Sequence, residues 1–199
     1  MRVKSEERRQ TILNIAKQLF IERGFENTSM SEISSRVGGS KATLYNYFAS
    51  KEEMFVAVME SFGEEKIANA FLSMDPDADI RSELQQMGYH YLSFILEPEV
   101  MAIRIMALHE SSRSDIGRQF YAQGPEKGWR LIQEYLAGQG ERQRLQIPDP
   151  QSCAMHLKGL LEAEVVEPYA LGVIPVPEPE LLRQVVARAV SAFLAIYGR

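Results

Sequence analysis

Apolar residues along this chain recur at steps of three and four, and almost nowhere do they alternate. From Glu6 to Arg23 they fall as Ile12, Ile15, Ala16, Leu19 and Phe20, one face of a 3.6-residue helix. Gly24 follows Arg23 as a C-terminal stop. Ser29 with Glu32 three residues on is a capping-box pattern, and Met30, Ile33 and Val37 supply the next, shorter stripe. Gly38-Gly39 ends that helix and Ser40 caps another. Ser50-Lys51-Glu52-Glu53 repeats the capping box and opens a longer helix toward Leu72. Beyond the loop Met74 to Asp79, helices are predicted over about Ile80–Leu96, Pro98–Ser111, Ile116–Ala137 (one helix or a pair), Asp149–Leu171 and Pro179–Tyr197. HESSRSDI, GQGERQRLQIPDP and VIPVPEP separate the later ones. The expected fold is all-α, about nine helices: an N-terminal three-helix domain over 1–50 and a larger helical domain over 51–199.

The stretch SKATLYNYFASKEEMF carries Leu44, Tyr45, Tyr47 and Phe48 nearly in a row. Leu44 and Phe48 are four apart and share a face, which is expected to pack on Ile15, Ile33 and Val37. Lys41, Ala42, Thr43, Tyr45 and Asn46 then point away, with Tyr47 at the flank. A helix, a glycine-containing turn and a capped short helix outline a helix-turn-helix. The outward groups suit phosphate oxygens and base edges in a major groove, and Ala42 leaves room for close approach. Lys51 starts the next helix, where a phosphate is also favoured. Thr28 and Met30 at the second helix and Ser40 at the third complete the expected DNA-contacting set. A basic arm of Arg2, Lys4, Arg8 and Arg9 is a further candidate for phosphate.

Charge supports this partition. The 199-residue chain has a formal net charge of −5. Yet Met1 to Lys51 holds nine basic and five acidic residues, against 13 basic and 22 acidic in the rest. A basic segment ahead of an acidic one points to an anionic partner for the first. The hydrophobic share of 45% and charged share of 25% are those of a globular protein. A single cysteine, Cys153, excludes an internal disulfide framework. The N-terminus lacks the apolar core of a secretory signal, no run is long enough to span a bilayer, and a cytoplasmic location is expected.

TSMSEISSRVGGSKATLYNYFASKEEMF resembles the DNA-binding segment of the TetR family of bacterial transcriptional regulators over about residues 10 to 56. Gly39 stands where that family usually has a small apolar residue such as Val. FYAQGPEKGWRLIQEYL and LQIPDPQSCAMHLKGLL are similar to the effector and dimerisation region of its AefR-like subgroup, in which an aromatic and a proline more typically occupy the positions of Ser114 and Asp115. The resemblance implies a homodimer with an internal cavity for a small effector.

Other residues admit two readings. Met87, Tyr91, Phe94, Met101, Ile105 and Trp129 are core first and ligand pocket second. Glu164 ends the stripe Cys153, Leu157, Leu160, Leu161, either as an edge carboxylate reaching water or as a buried one that meets an effector or an Arg such as Arg104. A mostly apolar effector is expected among Met87, Tyr91, Phe94, Arg104, Ile105, His109, Trp129, Leu160 and Glu164. In the last helix Leu182, Val185, Val186, Ala189, Phe193 and Ile196 form a long stripe, with Ala192 and Ala195 allowing close approach. With Leu157, Leu160 and Leu161 that stripe exceeds one chain's obvious need, and a two-fold contact of four helices is expected to cover Leu157, Leu161, Val185, Val186, Ala189 and Phe193. His90, His109 and His156 have no ligand spacing, so no metal or cofactor is expected. Glu162, Glu164 and Glu167 are a weak catalytic pattern without an acid/base partner, and no catalytic motif appears. The leading expectation is a DNA-binding regulator, a repressor released by a small molecule. Its alternatives are a dimeric DNA-binding protein without effector and a helical enzyme or carrier.

Overall fold

The computed structural model describes the backbone of residues 2–71 and 74–199, and the side chains of residues 6–61 and 74–199. Its regular structure is helical: α1 (Arg2–Arg23), α2 (Met30–Val37), α3 (Lys41–Tyr45), α4 (Lys51–Phe71), α5 (Ile80–Ile95), α6 (Pro98–Glu110), α7 (Ile116–Gln123), α8 (Pro125–Glu141), α9 (Pro150–Glu162), α10 (Val166–Ala170) and α11 (Pro179–Tyr197). The expected end of the fourth helix at Leu72 and the arm side chains Arg2 and Lys4 lie outside the described residues.

The all-α expectation holds, with eleven helical segments among the described residues instead of about nine. Two prolines make the difference. Pro125 disfavours helical backbone at the residue before it, and Gly124 turns to φ −116°, ψ −85° between α7 and α8. Pro168 lacks the N–H that a continuous helix would direct to residue 164, and its ring would meet that carbonyl. The expected helix over 149–171 therefore ends at Glu162, and Pro168 sits in the first turn of a new one, α10.

The chain forms two compact units: Met1–Phe62 with Ala102–Gly124, and Gly63–Met101 with Pro125–Arg199. The first centres on Phe20, Phe25 and Phe55, whose ring centroids lie 5.2 to 5.7 Å apart. Ile12, Leu19, Ile33, Leu44, Phe48 and Val58 bury around them, joined by Ile103, Ala107 and Ile116. In the second unit α5, α9 and α11 pack together and α8 lies against α9. Gly88 makes that approach possible: a Cβ there would stand 2.8 Å from Leu161 Cδ2 and 3.0 Å from Val186 Cγ1.

Polar links fix the loops of the second unit. The Pro76 carbonyl accepts from Gln139 Nε2 (2.8 Å), Arg142 Nη1 (2.9 Å) and Arg144 Nη1 (2.8 Å). Arg144 Nη2 also donates to the Ala78 carbonyl at 2.6 Å. The C-terminus is tied back by the Gln146 N–H, which donates to the Tyr197 carbonyl at 2.7 Å.

Candidate DNA-reading surface and regulatory unit

Caps and one left-handed glycine set the geometry of α2 and α3. The Ser29 hydroxyl accepts from the Glu32 N–H at 3.2 Å, while the Glu32 carboxylate pairs with Arg23 at 2.6 Å. Gly38 follows α2 with φ 71°, and the N–H groups of Gly38 and Gly39 close on the carbonyls of Ser35 and Ser34. The Ser40 hydroxyl then accepts from the Thr43 N–H at 3.1 Å. At the start of α4 the Ser50 hydroxyl accepts from the Glu53 N–H at 3.1 Å, and the Glu53 carboxylate reaches one residue past the cap to accept from the Ala49 N–H at 2.7 Å.

Leu44 and Phe48 are buried and hold α3 to the unit's core. Lys41, Ala42, Thr43, Tyr45 and Asn46 are exposed, Tyr47 is half-buried, and Tyr45 is 51% exposed despite its large ring. Ser40 shares this surface as the cap, its hydroxyl 2.9 Å from that of Thr43. Met30 is half-buried against the core.

Two members of the expected contact set have other work. Thr28 is buried, and its hydroxyl donates to the carbonyls of Gly24 (2.8 Å) and Leu19 (3.2 Å), closing the α1–α2 turn. A buried side chain cannot reach DNA, so Thr28 leaves the set. The Lys51 ammonium turns toward that same turn, donating to the Phe25 carbonyl at 2.7 Å and lying 4.2 Å from the Phe25 ring centroid. Arg8 donates to the Val37 carbonyl at 3.1 Å, and Arg9 stacks 5.3 Å from the Phe48 ring, so both brace the first unit.

The expected effector residues divide between the units. Met87, Tyr91 and Trp129 are buried in the second unit's core, with Phe94 and Leu160 packed against it. Arg104, Ile105 and His109 belong to the first unit. Ile105 is 42% exposed, and exposed His109 lies 3.1 Å from the buried Glu110 carboxylate. Glu164 is an edge carboxylate: exposed, it makes a two-pronged pair with Arg188 at 3.0 and 2.6 Å. That hydrogen bonding outweighs partial desolvation and holds its pKa below the usual carboxylate value.

Sequence reasoning singled out Glu162 only as a weak catalytic carboxylate and missed its partners Lys158 and Tyr91. Lys158 Nζ lies 2.9 Å from Glu162 Oε2, and the Tyr91 hydroxyl donates to Glu162 Oε1. Tyr91 meets Trp129 edge-on, with centroids 5.0 Å apart at 83°. The i, i+4 spacing of Lys158 and Glu162 was visible as a signal; Tyr91 joins them only through the packing of α5 on α9.

The expected dimer contact is also corrected. Leu157, Leu161, Val185, Val186, Ala189 and Phe193 are all buried inside one chain. Their stripe is consumed by the packing of α5, α9 and α11 on each other. On the opposite faces, α9 exposes Ser152 and Gly159, with Ala163 just past its end, and α11 exposes Leu181, Arg188 and Ala195. Ile196, beside them, is 60% exposed.

Known proteins share this architecture. Residues 82–199 match the C-terminal domain described as AefR-like transcriptional repressor, and residues 12–58 match the bacterial regulatory proteins of the tetR family. A transcriptional regulator of Bacillus subtilis, YfiR, is 30% identical over 146 residues, covering 71% of each chain. The transcriptional activator FasR of Mycolicibacterium smegmatis is 31% identical over 94 residues, 47% of this chain and only 43% of FasR. Among solved structures, a TetR-family regulator from Mesorhizobium loti superposes with a TM-score of 0.87 at 26% identity, over 98% of both chains. The flavonoid-responsive regulator FrrA superposes with a TM-score of 0.83 at 28% identity, over 97% of this chain and 98% of FrrA. The chain belongs to the TetR family of bacterial transcriptional regulators. Regulators of this family are non-enzymatic, bind operator DNA and are dimeric. No helix among the described residues is long and apolar enough to cross a membrane.

Proposed function

We propose that the chain is a homodimeric repressor that reads a two-fold symmetric operator through α3 and is released by a small, mostly apolar effector. The observation that carries this reading is the split of α3 and the turn that follows it: Leu44 and Phe48 locked in the core, Tyr45 with Lys41, Ala42, Thr43 and Asn46 left at the surface. A helix rigid on one side and furnished with a cation, hydroxyls and an amide on the other suits a major groove. The reading helices then lie within residues 1–50, in the first unit, and the effector and dimer surfaces within 51–199. Met30, Ser40 and Tyr47 border the face, and the N–H groups that open α4 at Lys51 supply a backbone phosphate contact. Work on chromosomal DNA places such a protein in the cytoplasm.

Repression is supported by the match of residues 82–199 to the AefR-like repressor domain. FrrA responds to flavonoids, which are planar and largely apolar; in this chain the second unit holds Tyr91, Trp129, Phe94 and Met87 in one cluster. Ligand binding that favours a different global arrangement from the DNA-bound one would spoil the half-site spacing of roughly 34 Å. Selection of bound fragments from a random DNA pool tests the reading. An enriched inverted repeat is expected. A pool without enrichment would refute operator recognition, and a reporter that rises with the regulator instead of falling would refute repression.

A further inference from the structure

We infer that Lys51 is a positioning residue for operator reading: its ammonium contacts no phosphate and instead fixes the turn between α1 and α2, which sets where α2 and then α3 stand. This rests on the reading of α3 above and adds the side chain that places that helix. Lys51 Nζ donates to the Phe25 carbonyl at 2.7 Å and reaches the Glu26 carbonyl at 3.4 Å. It also lies 4.2 Å from the Phe25 ring centroid. Phe55, four residues along α4 and so on the same face, meets that ring edge-on with centroids 5.2 Å apart. The first turn of α4 thus grips buried Phe25 twice, by its ring and by its carbonyl. Arg113 reaches the same turn through the Glu26 carboxylate, but its side chain and that of Glu26 are 57% and 55% exposed, and a pair so hydrated holds little. The half-buried Lys51 binds the main chain itself.

Two of the three N–H groups of this ammonium are engaged by carbonyls, and the ring lies against it. What it contributes to DNA binding is placement. Base-edge hydrogen bonds form only within about 2.7–3.2 Å, so a reading helix displaced by an ångström loses them. The electrostatic attraction to phosphates carries no sequence information and survives such a shift. Loosening the turn therefore weakens specific binding and spares the rest.

The test uses the full-length chain, a duplex carrying the site enriched from a random pool, and a scrambled duplex. Lys51→Met keeps the apolar stem and removes the ammonium. Its affinity for the enriched site should fall about tenfold, the loss of one good base-edge contact. The slope of log affinity against log salt should stay at the native value, and the scrambled duplex should bind as before. Lys51→Arg, whose guanidinium can donate to the same carbonyls and stack on Phe25, should recover native affinity; no recovery would overturn the inference. A slope reduced by about 1 for each bound protomer would overturn it too, by making Lys51 a phosphate contact. So would native affinity of Lys51→Met for both duplexes. If Lys51→Met fails to fold, acetylation of the native chain by an amine-reactive ester, read by peptide mass spectrometry, carries the test. Lys51 should react slowly with and without DNA, whereas a phosphate contact would react freely until DNA is added. Equal binding of both duplexes by the native chain would overturn the reading of α3 and the role of Lys51 with it.

Discussion

Tyr45 is the residue on which DNA reading can be tested most directly. Its ring is half exposed on a helix whose opposite face is buried, so truncation removes surface contact without opening the core. Tyr45→Ala should weaken specific operator binding by about 1–3 kcal/mol, the range of a good base-edge contact. A mobility-shift titration at fixed salt checks it, and unchanged affinity would rule out a base contact there. The turn before α3 offers a paired test. Gly38 holds φ 71°, and Gly38→Ala should cost about 1–2 kcal/mol by forcing a side chain into left-handed backbone. Gly39 has no such constraint, and a Cβ there meets only the end of Arg8, at 3.3 Å. Gly39→Ala should therefore stabilise by about 0.4–1 kcal/mol, through the unfolded chain, with Arg8 yielding a few tenths of an ångström. Denaturant titrations that gave both substitutions the same sign would contradict this account. The outward face of α3 was legible because period and capping fix which side of a short helix is apolar. Thr28 was not, because the carbonyls of Leu19 and Gly24 that bury its hydroxyl come from the preceding helix and turn. Neither was Lys51, drawn to a carbonyl 26 residues earlier in the chain.

At the scale of elements, stripes and caps gave the helices, and the prolines set their breaks. Reading 149–171 as one helix overlooked that Pro168 fits only a first turn. The loop before α5 shows what sequence could not supply: three donors from the end of α8 and the segment beyond it converge on the Pro76 carbonyl. Below that clamp the Tyr135 hydroxyl is buried without a hydrogen-bond partner among the described residues. Burial, then the charge of Glu83, pushes its pKa up to about 12 against a weaker opposing pull from Arg144. A phenol that stays neutral in the folded state and ionises more easily in the unfolded one adds a pH dependence of fixed sign. Its contribution is complete below about pH 10, the ordinary tyrosine value, and is lost as pH rises through about 12. Tyr135→Phe should flatten that part of the stability profile. At neutral pH it should raise stability by about 1 kcal/mol, because an unbonded buried hydroxyl is removed and the ring is kept. Loss of stability in chemical denaturation would show that the hydroxyl is bonded in solution.

For the whole molecule the question is which surface two copies share. The aliphatic stripe of α11 suggested itself in the sequence because one chain had no visible use for it. The fold uses it: Val185, Val186 and Phe193 are sealed against α5 and α9. Counting apolar residues along a helix cannot tell a partner in the same chain from one in another copy. What remains outside includes Gly159 on α9, Ala163 just past its end, and Ala195 on α11 beside exposed Leu181 and Ile196. Small residues let helices approach closely, which is what a two-fold bundle of α9 and α11 with their symmetry mates requires. We propose this face as the dimer contact. Gly159 gives a clean test, since a Cβ there meets nothing within 4 Å and glycine is the poorer helix former. Gly159→Glu should leave the protomer as stable as before or slightly more so, while placing like charges across the two-fold axis. The dimer dissociation constant should rise at least about tenfold, equivalent to about 1.4 kcal/mol, read by sedimentation equilibrium at fixed salt. Phe193→Glu supplies the contrast: a charge in the sealed core should unfold the protomer itself, with loss of helical circular dichroism. A Gly159→Glu chain that remained as tightly dimeric as the native protein would move the contact to another face, and the half-site spacing of the operator would then have to be derived from that one.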